Sequence, residues 1–175
     1  MKSKELILNA AAQCLMENPA TGLNQIAKRA GVGRATLYRH FESKEELVLV
    51  LTEDAVKITD DALDQVRGQE ATKEALQTLF DCLIPVGVKY HFLLSQQEIY
   101  SESAQETISK HEKEMLEFIH NGKKNGLFSM SHSDEWISLM INSMIYISWE
   151  AVANGVAAPK LVGKMAAETL LNGLS

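Results

Sequence analysis

The stretch LNQIAKRAGVGRATLYRHF, Leu23 to Phe41, decides how this chain is read. Its first half sets Leu23, Ile26, Ala27 and Ala30 at i, i+3, i+4 and i+7, the spacing of one buried face on a short helix. Gly31-Val32-Gly33 then forces a tight turn, because glycine tolerates backbone torsions that other residues resist. A second short helix follows over roughly Arg34 to His40, in which Leu37 and Phe41 are i, i+4 neighbours and share the inward face. At about 100° per residue, the direction opposite that pair falls to Arg39 and Ala35, with Thr36 beside them. Tyr38 and His40 sit on the flanks, and Arg34 is at the exposed first turn.

That outward set has the chemistry of a DNA reader. A guanidinium bonds guanine O6 and N7 in bidentate fashion, and an alanine methyl meets a thymine methyl. Thr36, Tyr38, His40 and Lys44 are donors suited to phosphate, which positions a helix in the groove without reading sequence. One such residue would simply solvate a helix. Two outward arginines and two buried anchors, after a Gly-Val-Gly turn, mark a helix-turn-helix.

The run Ile26-Ala27-x-x-Ala30-Gly31-Val32-Gly33-x-x-Thr36-Leu37-Tyr38-x-His40-Phe41-x-Ser43-Lys44-Glu45-x-Leu47 resembles the DNA-binding domain of the TetR family of repressors. The resemblance covers about 45 residues. It implies that Arg34, Ala35, Thr36, Tyr38, Arg39, His40 and Lys44 face DNA, with Asn24 near enough to touch base or backbone. Gly33 departs from the family pattern, which has serine or another capping residue there. Glycine supplies no side-chain acceptor, so one cap or phosphate contact is lost.

Outward from this segment, helical signals continue and no alternating strand pattern emerges. Leu6, Ile7, Ala10, Ala11, Cys14 and Leu15 form the stripe of a first helix that stops near Asn18-Pro19. Ser43-Lys44-Glu45-Glu46 reads as a capping box, Ser43 accepting from the Glu46 N–H and Glu46 reaching back to the Ser43 N–H. It opens a long fourth helix that runs toward Val66 and Gly68. Further helices are expected at about 70–84, 86–100, 103–125, 134–154 and 159–173, the first two separated by Pro85 and Gly87. The expected fold is all-α, about nine helices, with a three-helix helix-turn-helix domain at 1–45 and a helical effector-binding and dimerisation domain at 46–175.

Charge divides along the same line. Residues 1–44 hold seven bases and three acids, a net +4, while the remainder holds ten bases and twenty acids, a net −10. A basic head on an acidic body confines the attraction for phosphate to one end. The chain has no run of the ~18 apolar residues needed to cross a bilayer, and no signal-peptide pattern. Cytoplasmic residence, with no membrane partner, is the expectation. Cys14 and Cys82, separated by 67 intervening residues, lie on apolar stretches and read as small buried hydrophobes.

The body carries no motif of its own. The family resemblance implies a homodimer through the last two helices, and residues 134–154 agree, being apolar nearly all round. The expected interface is Trp136, Ile137, Ile141, Met144, Ile145 and Trp149 with Leu161, Met165 and Leu170. The resemblance also implies a cavity for a small hydrophobic or amphipathic effector, for which Tyr90, Phe92, Met115, Phe118, Met140 and Tyr146 are the candidate lining. His91, His111, His120 and His132 lack ligand spacing, so neither metal nor cofactor is expected. Glu112, Lys113, Glu114 and Glu117 read as a solvated surface. With no nucleophile elbow, phosphate loop or carboxylate pair, catalysis is not expected.

The function read from this is a sequence-specific regulator of double-stranded operator DNA, a repressor released from a palindromic site by its effector. The alternative is a DNA-binding adaptor whose body docks another protein.

Overall fold

In the computed structural model, residues 2–90, 93 and 101–174 are described. They form eight α-helices and no strand, in agreement with the all-α expectation. The chain divides into two compact units, Met1–Val56 with Lys89–Gln105, and Lys57–Val88 with Glu106–Ser175.

The first unit is built on α1 (Lys2–Glu17), α2 (Leu23–Arg29) and α3 (Arg34–His40), each of which contacts the other two. Ile7, Ala10, Ala11, Cys14 and Leu15 are buried along α1, whereas Leu6, expected on the same stripe, is half exposed. Ile26 and Ala27 of α2 and Leu37 of α3 complete this core, together with Phe41. The turn after α2 is a Schellman motif. Gly31 adopts φ +67°, its N–H donates to the Lys28 carbonyl, and the Val32 N–H reaches back to the Ala27 carbonyl at 3.1 Å. Only a residue without Cβ adopts that torsion cheaply.

The α4 helix (Lys44–Leu63) starts from Ser43, whose Oγ accepts from the Glu46 N–H at 3.0 Å. The Glu46 carboxylate accepts from the Glu42 N–H at 2.6 Å, one residue earlier than the expected partner, Ser43. Leu47, Val48 and Leu51 are buried along its first half.

The remaining helices are α5 (Lys73–Tyr90), α6 (Glu102–Lys124), α7 (Asp134–Ala153) and α8 (Pro159–Leu174). The expected break at Pro85 does not occur; α5 runs through it. Proline removes one backbone donor and crowds one carbonyl, and the packing of Leu79, Phe80 and Ile84, all at or below 3% exposure, keeps the helix continuous across it. Residues 91, 92 and 94–100, most of the helix expected at 86–100, lie outside the described residues. Gly87 serves packing and does not end the helix. A Cβ placed there would lie 1.6 Å from the Trp149 ring, so α5 and α7 approach as closely as they do only because the side chain is missing.

The second unit's core joins Leu76, Leu79, Phe80 and Ile84 of α5 to Ile119 of α6, Ile137, Ile141 and Ile145 of α7, and Val162, Ala166 and Leu170 of α8. Ser133 caps α7 by accepting the Trp136 N–H at 3.1 Å. A polar cluster also holds the end of α4 to α6. The Arg67 guanidinium bonds Asp60, Asp64 and Glu114, and His111 Nε2 lies 2.8 Å from Asp60 Oδ1. Glu114, expected as idle surface, is part of this cluster. Hydrogen bonds from Arg67, then from His111, hold the Asp60 carboxyl well below its ordinary range.

Two outcomes follow from this packing. Gly87→Ala should lower the urea midpoint by the equivalent of about 1–2 kcal/mol, the clash exceeding the gain in helix propensity. Gly173→Ala, with nothing within 4 Å of the added carbon, should not lower it. Because the Asp60 carboxyl titrates lower in the folded state, its contribution is present above the unfolded value of about 4 and is lost as pH falls below that. Asp60→Asn should therefore be less stable than the parent by about 1 kcal/mol at pH 7, the gap narrowing in denaturant melts below about pH 4.

Candidate nucleic-acid interface

The rotation of α3 about its axis is set by two side chains. Leu37 is 0% exposed and Phe41 1%, so both point into the first unit. Ala35 and Arg39 consequently face solvent, with Tyr38 exposed beside them and Thr36 half-buried, and Arg34 is exposed at the first turn of the helix. Among the described residues neither Arg34 nor Arg39 makes a hydrogen bond or ion pair. Two guanidiniums with all their donors available, about one helical turn and a half apart, can bind base edges or phosphates but offer no nucleophile or general base. Asn24 is exposed at the second position of α2.

Two expected members are placed differently. His40 is half-buried, its ring 6.5 Å from that of Phe41, and its Nε2 is enclosed without a hydrogen-bond partner. A phosphate contact by this ring is left to Nδ1. The Lys44 ammonium donates to the Pro19 carbonyl at 2.6 Å. Of the other bases in the head, Arg29 is engaged by Glu17 at 2.6 and 2.8 Å and by Gln13 at 3.2 Å. That pairing lowers the Glu17 carboxyl and raises the Arg29 guanidinium relative to their ordinary values. Gly33 caps α3 through its extended backbone alone, with no side-chain bond, as its lack of a side-chain acceptor requires.

The residues expected to line an effector cavity are dispersed. Tyr90, in the first unit, is buried and donates its hydroxyl to Asp54 Oδ2 at 2.7 Å. Burial, and then that carboxylate, push its phenol above the ordinary range. In the second unit Met115, Phe118 and Met140 pack half-buried against the core, and Tyr146 is exposed. Phe92 lies outside the described residues. An open cleft of about 420 Å³ in the second unit is lined by Leu116, Glu117, His120, Asn121 and Asp134, none of them on the expected list.

The expected interface residues divide by face. Ile137, Ile141, Ile145 and Leu170 are buried in the chain's own core, and Met144 and Trp149 are half-buried against it. Trp136, Leu161 and Met165 remain half exposed at 50, 58 and 52%. Leu139, Tyr146 and Ile147, exposed on α7, extend the same apolar character and were not in the expected set. Their i+3, i+10 and i+11 spacing from Trp136, one face of a helix, was the available signal. Among the described residues no group of three or more potential metal ligands gathers, and no helix is long and apolar enough to cross a membrane.

Comparison with known proteins adds independent support for the head. The family described as bacterial regulatory proteins, tetR family, matches residues 7–51. The uncharacterized HTH-type transcriptional regulator YhgD of Bacillus subtilis is 26% identical over 160 residues, spanning 84% of each chain. Two solved structures share the fold. The ketosteroid transcriptional regulator KstR2 of Mycobacterium tuberculosis superposes with a TM-score of 0.80 at 22% identity, over 98% of this chain and 94% of that one. The TetR-like regulator LfrR of Mycobacterium smegmatis, in complex with proflavine, does so with a TM-score of 0.70 at 18% identity, over 99% and 97%. With residues 7–51 matched by the tetR family of bacterial regulatory proteins and its helical fold shared with TetR-like regulators, this chain carries a TetR-type helix-turn-helix and is a DNA-binding transcriptional regulator.

Proposed function

We propose that the protein is a repressor that reads a palindromic operator as a homodimer and leaves it when a small hydrophobic or amphipathic molecule binds its body. The observation that carries the reading is the sidedness of α3, with Leu37 and Phe41 fully buried, Arg39 exposed and unpaired opposite them, and Arg34 exposed and unpaired at the first turn. Arg34, Ala35 and Arg39 are the proposed base-edge contacts. Asn24, Thr36, Tyr38 and His40 are proposed to hold the backbone. The division of labour proposed is a reader in residues 1–45 and an effector and dimerisation body in 46–175, working in the cytoplasm where the DNA is.

Dimerisation is supported by the apolar residues left uncovered on α7 and α8. Trp136, Leu139, Tyr146, Ile147, Leu161 and Met165 are large side chains at helical spacing, and a face of that kind is ordinarily covered by a partner. Two copies would present two α3 helices about 34–36 Å apart, the separation of successive major grooves. Effector release is supported by relatives whose names or structures involve small molecules, KstR2 as a ketosteroid regulator and LfrR with proflavine. The α4 helix is one unbroken element that contributes residues to both units, and a ligand that favours one setting of it would shift the population away from the operator-competent form.

Arg39→Ala should weaken binding to a duplex selected from a random-sequence library by about 1–3 kcal/mol and relax preference at one base position. Unchanged affinity and preference in a gel-shift series would remove Arg39 from the reader. Met165→Glu should shift the sedimentation coefficient from dimer to monomer at micromolar concentration without loss of helix content. A wild-type protein that sediments as a monomer at that concentration would defeat the dimer proposal.

A further inference from the structure

The last turn of α4 and the turn that follows it carry Asp60, Asp64 and Arg67, and the side of α6 that meets them carries Lys110, His111 and Glu114. The Arg67 guanidinium donates from all three of its nitrogens. Nε meets both Glu114 oxygens at 3.1 Å, Nη2 meets Glu114 Oε2 at 3.0 Å and also Asp60, and Nη1 meets Asp64. We infer that Arg67 is a positioning residue for operator binding, its guanidinium locking the end of α4 to α6 so that α4 keeps one setting and a displacement of α6 is carried into it. This role rests on the reading of α4 as the helix through which the body governs the DNA reader.

Both sides of the lock have fixed backbones. On the α4 side, the Asp64 N–H donates to the Asp60 carbonyl at 3.1 Å and the Arg67 N–H to the Leu63 carbonyl at 3.0 Å. Leu63 and Val66 belong to the same buried core as Ile119 of α6. On the α6 side, the mostly enclosed His111 places Nε2 2.8 Å from Asp60 Oδ1. The Lys110 ammonium lies 3.6 Å from Asp60 and 3.7 Å from Glu114. An isolated surface ion pair contributes little, because two long side chains must be held in one geometry for a modest attraction. Here one planar fork serves three carboxylates at once, which an ammonium, a single point charge, does not do. Without the lock α4 samples several settings, and DNA binding must first select one of them. That selection appears as lost affinity.

The probe is a duplex selected from a random-sequence library by the wild-type protein, with affinity measured per active molecule after stoichiometric titration. Arg67→Met should weaken binding by about three- to tenfold, with the slope of log K against log salt unchanged because no phosphate ligand is removed. Arg67→Lys, which keeps the charge and loses the fork, should recover less than half of that loss on a logarithmic scale. Lys73→Met removes an equal charge from the body, together with the 3.5 Å ion pair of Lys73 and Glu168, and should leave affinity unchanged. Ile84→Val, which lowers stability from a core position on α5, should leave it unchanged too. In amide hydrogen exchange, α4 should exchange faster in Arg67→Met than in the wild type or in Ile84→Val. Should Arg67→Met fail to fold, Glu114→Gln, which loosens only the α6 side, supplies the same comparison. Wild-type affinity in Arg67→Met, full recovery in Arg67→Lys, or an equal loss in Lys73→Met or Ile84→Val overturns the role assigned to Arg67. A wild-type protein that selects no duplex overturns the operator reading, and the exchange of α4 alone then decides whether Arg67 holds the helix.

Discussion

Leu37 and Phe41 lie one helical turn apart on α3 and are withdrawn from water almost completely. A seven-residue helix has too few backbone bonds to be stable alone, so it exists here because those two side chains are buried with Ile7, Leu15, Ile26 and Ala27. Each such burial is worth about 1.5–3 kcal/mol, enough to fix both the presence of the helix and its rotation. Everything assigned to the reading face depends on that rotation. The Schellman turn at Gly31 then sets the angle at which α3 leaves α2, and the Ser43 cap begins α4 two residues beyond Phe41.

How much of this was legible in the sequence depended on the range of the interaction. The helix-turn-helix is local, since its anchors are i, i+4 pairs, its turn is a glycine at positive φ, and its caps reach three or four residues. All of these are visible as spacing, and the structure places Leu37, Phe41, Gly31 and Ser43 where the spacing puts them. Pro85 was misleading because local propensity argues for a break there, while the burial of Leu79, Phe80 and Ile84 is a tertiary term that outweighs it.

The polar clusters were the least legible. Arg67 finds Glu114 across 47 residues, His111 finds Asp60 across 51, and Lys44 finds Pro19 across 25. No periodicity announces such pairs, and a charged residue on a helix reads as solvated by default. Tyr90 with Asp54 is a similar case, a phenol expected in a cavity wall that is instead hydrogen-bonded to a carboxylate 36 residues earlier in the chain. On α7 the sequence showed apolar residues nearly all round but not which face the chain would cover itself. That division between Ile137, Ile141 and Ile145 on one side and Trp136, Leu139 and Ile147 on the other emerges only once α8 is packed against it.

The separation of roles on α3 has a further consequence for how such a protein can change over time. Ala35 and Arg39 face away from Leu37 and Phe41, Arg34 is exposed at the first turn, and the three contribute little to holding the helix in place. Surface substitutions of that kind usually alter stability by no more than about 0.5 kcal/mol. A lineage can therefore exchange these side chains, and with them its operator, while the scaffold stays folded at every step. Neighbouring positions on one short helix are thus subject to different selection: the inward ones answer to folding, the outward ones to the DNA they meet.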